Sequence, residues 1–270
     1  MKILVIGATS FWGFPLVEEL DRRGHEVSVF SRDPRAFPER WRHHLRCSFG
    51  EISHAHILHE AMTGVDRVMV CLSAGSDPDR AEEIEVGGTR AILEAATRVG
   101  GIDVAKLSST APLRQADWWP MAARRRADLI AETSDIRCCV VEMGWASEML
   151  APLRRGDTLV LPHPRSMPGR VCWQSRSQGV SRLAELLGRA DLPKRTTLRG
   201  DDPATLAELS TRICRDHPRT ERIFLPGRVF RWLGPFFPAI SSTGQRLVHA
   251  ARSNETSRLS GAENSLADWR

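Results

Sequence analysis

The chain has 270 residues, a length that suits one α/β unit with a smaller C-terminal elaboration, and it is 41% hydrophobic and 26% charged, which is ordinary for a soluble globular protein. The formal net charge is +5. Nearly all of the positive charge is arginine, and the densest cluster, Arg124-Arg125-Arg126, is short and lacks stacking aromatics, so nucleic-acid binding is not expected. No apolar run reaches the roughly eighteen residues a membrane span requires.

The apolar stretch Ile3 to Ile6 stops at Gly7, too soon for a secretory signal, so a cytoplasmic location is expected. The six cysteines show no CxxC spacing, which argues against zinc and against a disulfide framework. There is no tyrosine, against eight tryptophans. Any chemistry that needs a phenol from the protein is therefore excluded.

In chain order, the pattern predicts a buried strand over 2–6, a turn over 7–13 and a helix over 12–23 that carries Phe14, Leu16, Val17 and Leu20 on one side and ends at Gly24. A second strand is predicted over 27–30, a weak third over 45–49, a helix over 56–62, and a fourth strand over 68–72 that includes Cys71. A helix over 81–98, a fifth strand over 104–107 leading into Ser108-Ser109-Thr110, a helix over 121–133 and a sixth strand over 138–141 complete the rhythm. Strands alternating with helices in this way mean an α/β Rossmann sheet, doubly wound and parallel, with helices on both faces. That domain is expected to occupy 1–150. Beyond it, 151–270 reads as a smaller C-terminal substrate-binding or lid region. It has a proline- and glycine-rich linker at 162–169, helices over 180–187 and 203–214, and an aromatic segment over 230–240.

The first turn, Gly7-Ala8-Thr9-Ser10-Phe11-Trp12-Gly13, is the most informative segment. Gly7 permits a tight turn. The main-chain N–H groups of Phe11 and Trp12 open the helix toward an anion, with the helix dipole behind them. Gly13 lets helix and strand approach closely. A strand before and a helix after point to a dinucleotide diphosphate as the anion, hence NAD(P)(H).

These residues resemble the turn of the short-chain dehydrogenase/reductase superfamily, in particular its atypical and extended members, NmrA-like proteins included. The family turn is GxxGxxG. Here Ser10 replaces the middle glycine, and its hydroxyl is expected to bond the diphosphate. Gly24 to Arg32 resembles the family's second strand, Gly50-Glu51-Ile52 its adenine contact, Gly88-Thr89 with Glu94-Ala95-Ala96 its fourth-helix signature, and Gly144 to Leu150 the NmrA-like segment after strand six. The resemblance is faint beyond residue 150. It implies coenzyme contacts from Gly7, Thr9, Ser10, Phe11, Trp12, Gly13, Glu51 and Ile52, from Leu72, Ser73 and Ala74 after strand four, and from Met143 after strand six.

Family members that use NAD carry a carboxylate at the end of strand two. The matching position is Ser31, followed by Arg32. A serine donates to a 2′-phosphate and an arginine pairs with it over two N–H bonds, with Arg35 in support, so NADPH is expected over NADH.

Reductases of the superfamily protonate the carbonyl with the tyrosine of a YxxxK motif, aided by a serine at the end of strand five. Ser108 and Ser109 match that serine. Pro120 falls where the tyrosine belongs and Arg124 where the lysine belongs, from where Arg124 can bond the nicotinamide ribose. Ser108 and Ser109 are accordingly the candidate catalytic residues, as oxyanion donors, with water or a substrate hydroxyl as the proton source. Loss of a general acid costs on the order of 10²–10⁴ in rate, which slows hydride transfer without abolishing it. Trp118, Trp145 and Met149 are candidate substrate contacts, and Trp173, Trp232, Phe236 and Phe237 could complete an aromatic pocket. Glu142 is expected to face the nicotinamide or the substrate, unless it is paired. His54, His56 and His59 have no completing ligand, so no metal is expected.

Two functions stay open. One is an NAD(P)H-dependent ketoreductase acting without tyrosine on a small-molecule carbonyl, of the aromatic polyketide kind met in antibiotic biosynthesis. The other is a non-catalytic NADP(H)-binding sensor of NmrA-like type. A nucleotide-sugar epimerase or dehydratase leans harder on the missing tyrosine. Monomer and homodimer both remain open.

Overall fold

In the computed structural model, which describes residues 1–73, 79–110, 119–166, 169–233, 240 and 243, the run Ile3 to Ile6 is at most 1% exposed. Strands covered by helices on both faces are buried in this way. This run is the centre of strand β1 (Lys2–Ile6). Strands β2 (Glu26–Ser31) and β4 (Arg67–Val70) flank it, Ile6 standing level with Phe30 on one side and Val70 on the other. With β3 (Arg46–Phe49), β5 (Asp103–Ser109), β6 (Cys138–Met143) and β10 (Arg195–Leu198), they form a seven-stranded parallel sheet in the order β10-β6-β5-β4-β1-β2-β3. The fold is Rossmann-like α/β. The strand order reverses between β1 and β4, and ligands of open parallel sheets lie at that switch, beyond the carboxyl ends of the strands.

The helices α1 (Gly13–Arg22) and α3 (Ala55–Met62) fall close to their predicted places, and the short helix α2 (Glu39–His44) was not predicted; α5 spans Gly88–Val99. The helix expected over 81–98 differs. It opens with a short turn, α4 (Asp79–Ala81), continues as a π-helical segment, Glu82–Gly87, and becomes regular only at α5. Helix α6 (Trp119–Glu132) precedes β6. Among the described residues no helix is long and apolar enough to cross a membrane.

The expected division at residue 150 is corrected by the chain path. Among the described residues, one compact unit comprises residues 1–109, 119–143 and 177–198, and the other comprises 110, 144–176 and 199–233. The chain thus returns to the parallel sheet through α7 (Arg176–Leu187) and β10. Strand β10 reads Arg-Thr-Thr-Leu at the sheet edge, with only Leu198 buried. An edge strand needs little apolar surface, so hydrophobic periodicity gave no sign of it.

The second unit has a three-stranded sheet, β12-β8-β7 (Glu221–Leu225, Thr158–Pro162, Arg154–Arg155), and a two-stranded one, β9 (Val171–Cys172) with β11 (Pro203–Ala204). The expected linker over 162–169 therefore adjoins β8. The start of the helix expected at 203 is strand β11, and α8 (Leu206–Asp216) begins behind a capping box of Thr205 and Glu208. The short helix α9 spans Val229–Trp232.

A buried arginine ties the returning segment to the sheet. Arg67 is 1% exposed. Its guanidinium donates to Asp103 at 2.8 Å, to the Arg189 carbonyl at 2.9 Å and to the Leu187 carbonyl at the end of α7. Asp103 takes a second cation, Arg137, at 2.7 Å. A cation at a helix C-terminus is favoured by the exposed carbonyls there, and a buried charge without partners would be costly. Replacing Arg67 with Met keeps the stem and removes the charge. It is expected to lower stability by about 3–5 kcal/mol, read as a lower urea midpoint. A midpoint equal to wild type would show that the anchor carries no stability.

Candidate functional site

The turn after β1 lies at the switch point and is built by close approach. Gly7 has φ +79°, and a Cβ there would stand 2.6 Å from the Cys71 carbonyl oxygen, just past β4. Only glycine fits that conformation and that gap. A Cβ on Gly13 would stand 2.3 Å from the Gly7 oxygen, which brings the start of α1 down onto the turn. Gly7 and Gly13 thus hold the geometry expected of them.

Ser10 takes a different part. Its N–H donates to the Gly7 carbonyl at 3.0 Å, and its hydroxyl accepts from the Gly13 N–H at 3.1 Å. The serine closes the turn and holds the first N–H of α1, where the sequence suggested a bond to the diphosphate. The first turn of α1 contains no acidic residue, so nothing on the helix itself opposes an anion at this end. Thr9 is exposed at the crest of the turn and Phe11 is half-buried. The Phe11 ring meets Trp12 edge-on at 5.1 Å. Trp12 is 5% exposed. A Cβ on Gly179 would lie 2.7 Å from the Trp12 ring and 3.1 Å from the Met143 Cε. Met143 and the Trp12 side chain therefore pack under α7, which leaves only their main chain for a ligand.

At the end of β2, the Ser31 hydroxyl and the Asp33 main chain bond each other at 3.3 Å. Arg35 is turned back onto Asp33, its N–H at 2.9 Å and its Nε at 3.2 Å from the carboxylate. The bond from the Arg35 main chain, then its guanidinium, holds the Asp33 carboxyl below its ordinary pKa. The supporting role expected of Arg35 is thus already taken. Arg32 is exposed and makes no hydrogen bond or ion pair with the described residues. Ile52 and Leu72 converge on Gly88 at the start of α5, where a Cβ would stand 3.2 and 3.0 Å from their methyl carbons. Glu51 is exposed beside them in sequence and Ser73 is exposed past Leu72. Ala74 and Trp118 lie outside the described residues, as do Phe236 and Phe237.

The end of β5 holds a buried polar network that the sequence reading missed. The Ser108 hydroxyl donates to Asp128 of α6 at 2.5 Å, and Lys106 donates to the other carboxylate oxygen at 2.6 Å. Lys106, Ser108 and Asp128 are 3, 4 and 7% exposed. This corrects the oxyanion role expected of Ser108, because its proton is committed to a buried carboxylate. Ser109, on the opposite pleat, is half-buried and among the described residues meets only the weak acceptor Met121 Sδ, at 3.4 Å. A sign was available in the sequence: a lysine inside an apolar strand, Val104-Ala105-Lys106-Leu107, must have a buried partner.

Arg124 sits one turn before Asp128 and donates to Glu85 of the π-helical segment at 2.7 Å. Glu142 is paired with Arg195 of β10 and accepts from Thr197 at 2.9 Å, so its carboxylate serves the sheet edge rather than the nicotinamide. The Cys71 thiol is pushed up to about 12 by burial, which removes it as a nucleophile near neutral pH. In the second unit, Trp145 meets Trp173 at 6.0 Å, and the Trp173 Nε1 donates to the Ala204 carbonyl at 3.0 Å. Trp173 is core, Met149 is half-buried and Trp232 is 78% exposed. The proposed aromatic pocket is therefore not assembled from Trp173 and Trp232.

Residues 3–113 match the family model described as the NAD dependent epimerase/dehydratase family. The Photosystem II assembly factor Ycf39 of Guillardia theta is 35% identical over 105 residues, which is 38% of this chain and 32% of that protein, so the match spans about a third of the relative's length. Among solved structures, the NADPH-dependent quinone oxidoreductase QOR2 of Escherichia coli, complexed with NADPH, superposes with a TM-score of 0.72 at 18% identity, covering 96% of this chain and 93% of that one. A nucleoside-diphosphate-sugar epimerase of Staphylococcus aureus gives a TM-score of 0.72 at 17% identity, covering 96% and 95%. The chain thus has the Rossmann-like α/β fold of NAD-dependent epimerases and reductases, and residues 3–113 are the stretch that matches their family.

Proposed function

We propose that this chain is an NAD(P)H-dependent oxidoreductase that takes NADPH and reduces the carbonyl of a small ketone or quinone without a phenol from the protein. The observation that carries the reading is the glycine-built turn at the switch point, with the exposed Arg32 left unengaged beyond β2. The donor set fits a dinucleotide. The main-chain N–H of Trp12, just ahead of α1, suits a diphosphate, Ile52 and Leu72 make an apolar wall for an adenine, and Arg32 with Ser31 suits a 2′-phosphate.

When bound, the dihydronicotinamide supplies the hydride. The protein's part is to orient it and to hold the oxygen that becomes an alkoxide. Ser109 is the β5 hydroxyl left for that task, since Met121 is easily displaced as an acceptor. Lys106 and Asp128 fix β5 against α6. With no tyrosine in the chain, the proton comes from water or from an acidic hydroxyl of the substrate. Epimerisation and dehydration, which the family description names, depend more heavily on a phenol. The solved quinone oxidoreductase with NADPH supports the redox reading. Aromatic ketones, polyketides among them, are the finer class we propose. The missing phenol also favours a second reading, an NADP(H)-binding sensor that transfers nothing. Incubation with NADPH and a panel of aromatic ketones and quinones separates the two. Loss of nicotinamide absorbance is expected, and an unchanged signal with every carbonyl would leave the sensor.

Arg32→Ala is expected to weaken NADPH binding by about tenfold or more, since a charged hydrogen bond is worth about 1.5–3 kcal/mol, and to change NADH binding little. Calorimetric titration reads both, and equal losses would remove the 2′-phosphate assignment. Ser109→Ala is expected to lower kcat by about tenfold or more. Ser108→Ala is expected to cost about 1–3 kcal/mol of stability through the buried carboxylate it leaves short of a donor, with a smaller kinetic effect. The reverse order of kinetic effects would return the oxyanion role to Ser108.

A further inference from the structure

The pair Glu85–Arg124 is used by nothing described so far. Glu85 is 4% exposed although it lies on a helix with charged neighbours. The π-helical segment accounts for this, because its extra residue per turn shifts the facing of the helix and turns Glu85 inward, while Glu82 and Glu83 stay exposed. The Thr89 hydroxyl fastens the segment by donating to the Glu85 carbonyl at 2.6 Å. The Glu85 carboxylate receives Arg124 Nη2 at 2.7 Å. Arg124 Nε is buried and has no hydrogen-bond partner among the described residues.

The position of Arg124 follows from α6. Met121 meets Ser109 at the end of β5, while Asp128 meets Ser108 and Lys106 further back. The helix therefore runs antiparallel to β5, and Arg124, about 6 Å along the axis from Asp128, stands at the carboxyl edge of the sheet, where ligands bind. Among the described residues there, Arg124 is answered by Glu85 and Lys106 by Asp128. Burial opposes the charge on Arg124, but Glu85, with Asp128 behind it, raises its pKa above the ordinary arginine value, so Arg124 is a fixed cation.

We infer that Glu85 is a positioning residue that selects the substrate class. By neutralising Arg124 and holding its Nη2, it leaves the Nε–H as a donor for an uncharged oxygen, a carbonyl or hydroxyl, and denies the site to carboxylates, sulfonates and phosphates. This rests on the proposed NADPH-dependent reduction and specifies what it acts on.

The test uses a matched pair, 1,4-naphthoquinone and its 2-sulfonate, with the full-length protein and NADPH. The ratio of kcat/KM, neutral over sulfonate, is measured for wild type, Glu85→Gln and Glu85→Asp. Dissociation constants for the two quinones on the NADP⁺ complex, from tryptophan quenching, give the same ratio independently of turnover. Wild type is expected to favour the neutral quinone. Glu85→Gln keeps shape and an acceptor but uncovers the cation, and is expected to shift the ratio toward the sulfonate by roughly tenfold or more. Glu85→Asp is expected to keep the wild-type preference. If Glu85→Gln does not fold, Arg124→Gln carries the test with the opposite sign, deepening discrimination against the sulfonate. NADPH binding is titrated in every variant. Absence of NADPH binding to wild type overturns the reading beneath the inference. NADPH binding with an unshifted ratio, a wild-type preference for the sulfonate, or no binding of either quinone overturns the inference alone.

Discussion

The carbonyl of Cys71 and the alpha carbon of Gly7 are so close that not even a methyl group fits between them. Two neighbouring parallel strands can end this near each other only if the chain leaving one of them turns at once, and a positive φ is what turns it. From that constraint follow the downward placement of α1 and the need for Gly13 where the helix passes over the turn. Ser10 belongs to the same construction. By holding the first N–H of the helix, it replaces one small residue with a local hydrogen bond and keeps the turn rigid whether or not an anion is present.

Beyond that crevice the site is organised by buried charge. Asp128 draws together a strand lysine and a strand serine, and Glu85 draws an arginine from the same helix toward the π-helical segment. Each carboxylate costs solvation and recovers it through close, hydrogen-bonded partners. The result is a stiff junction between β5, α6 and the helix before α5, at the carboxyl end of the strand. Ser109 stands at its margin.

Much of this was legible from the residues. Apolar runs such as Ile3 to Ile6 and Cys138 to Val141 announced buried strands, and the glycines at 7 and 13 announced the turn. Legibility failed where polarity and burial part company. Strand β10 is polar because it is an edge, so its pairing with β6 left no periodic trace, and the domain limit was placed too early. Ser108 and Ser109 look alike in sequence, yet the two-residue period of a strand sends one to a buried aspartate and leaves the other near the surface. Glu142 read as a ligand group because its partner, Arg195, arrives from more than fifty residues away. Lys106 and Arg67 were readable in principle, since each charge sits in or against an apolar run and had to be answered by a partner.

The late return of the chain to the first sheet bears on how the molecule is made. Strand β6 has no outer neighbour, and Arg67 has no carbonyls at the end of α7 to meet, until the polypeptide has been extended through Leu198. During synthesis at about 5–20 residues per second, the half-built sheet therefore waits several seconds with an open apolar flank while the segment from 144 to 176 emerges. The outer side of β6 is paired only once β10, which itself remains the sheet edge, has been made.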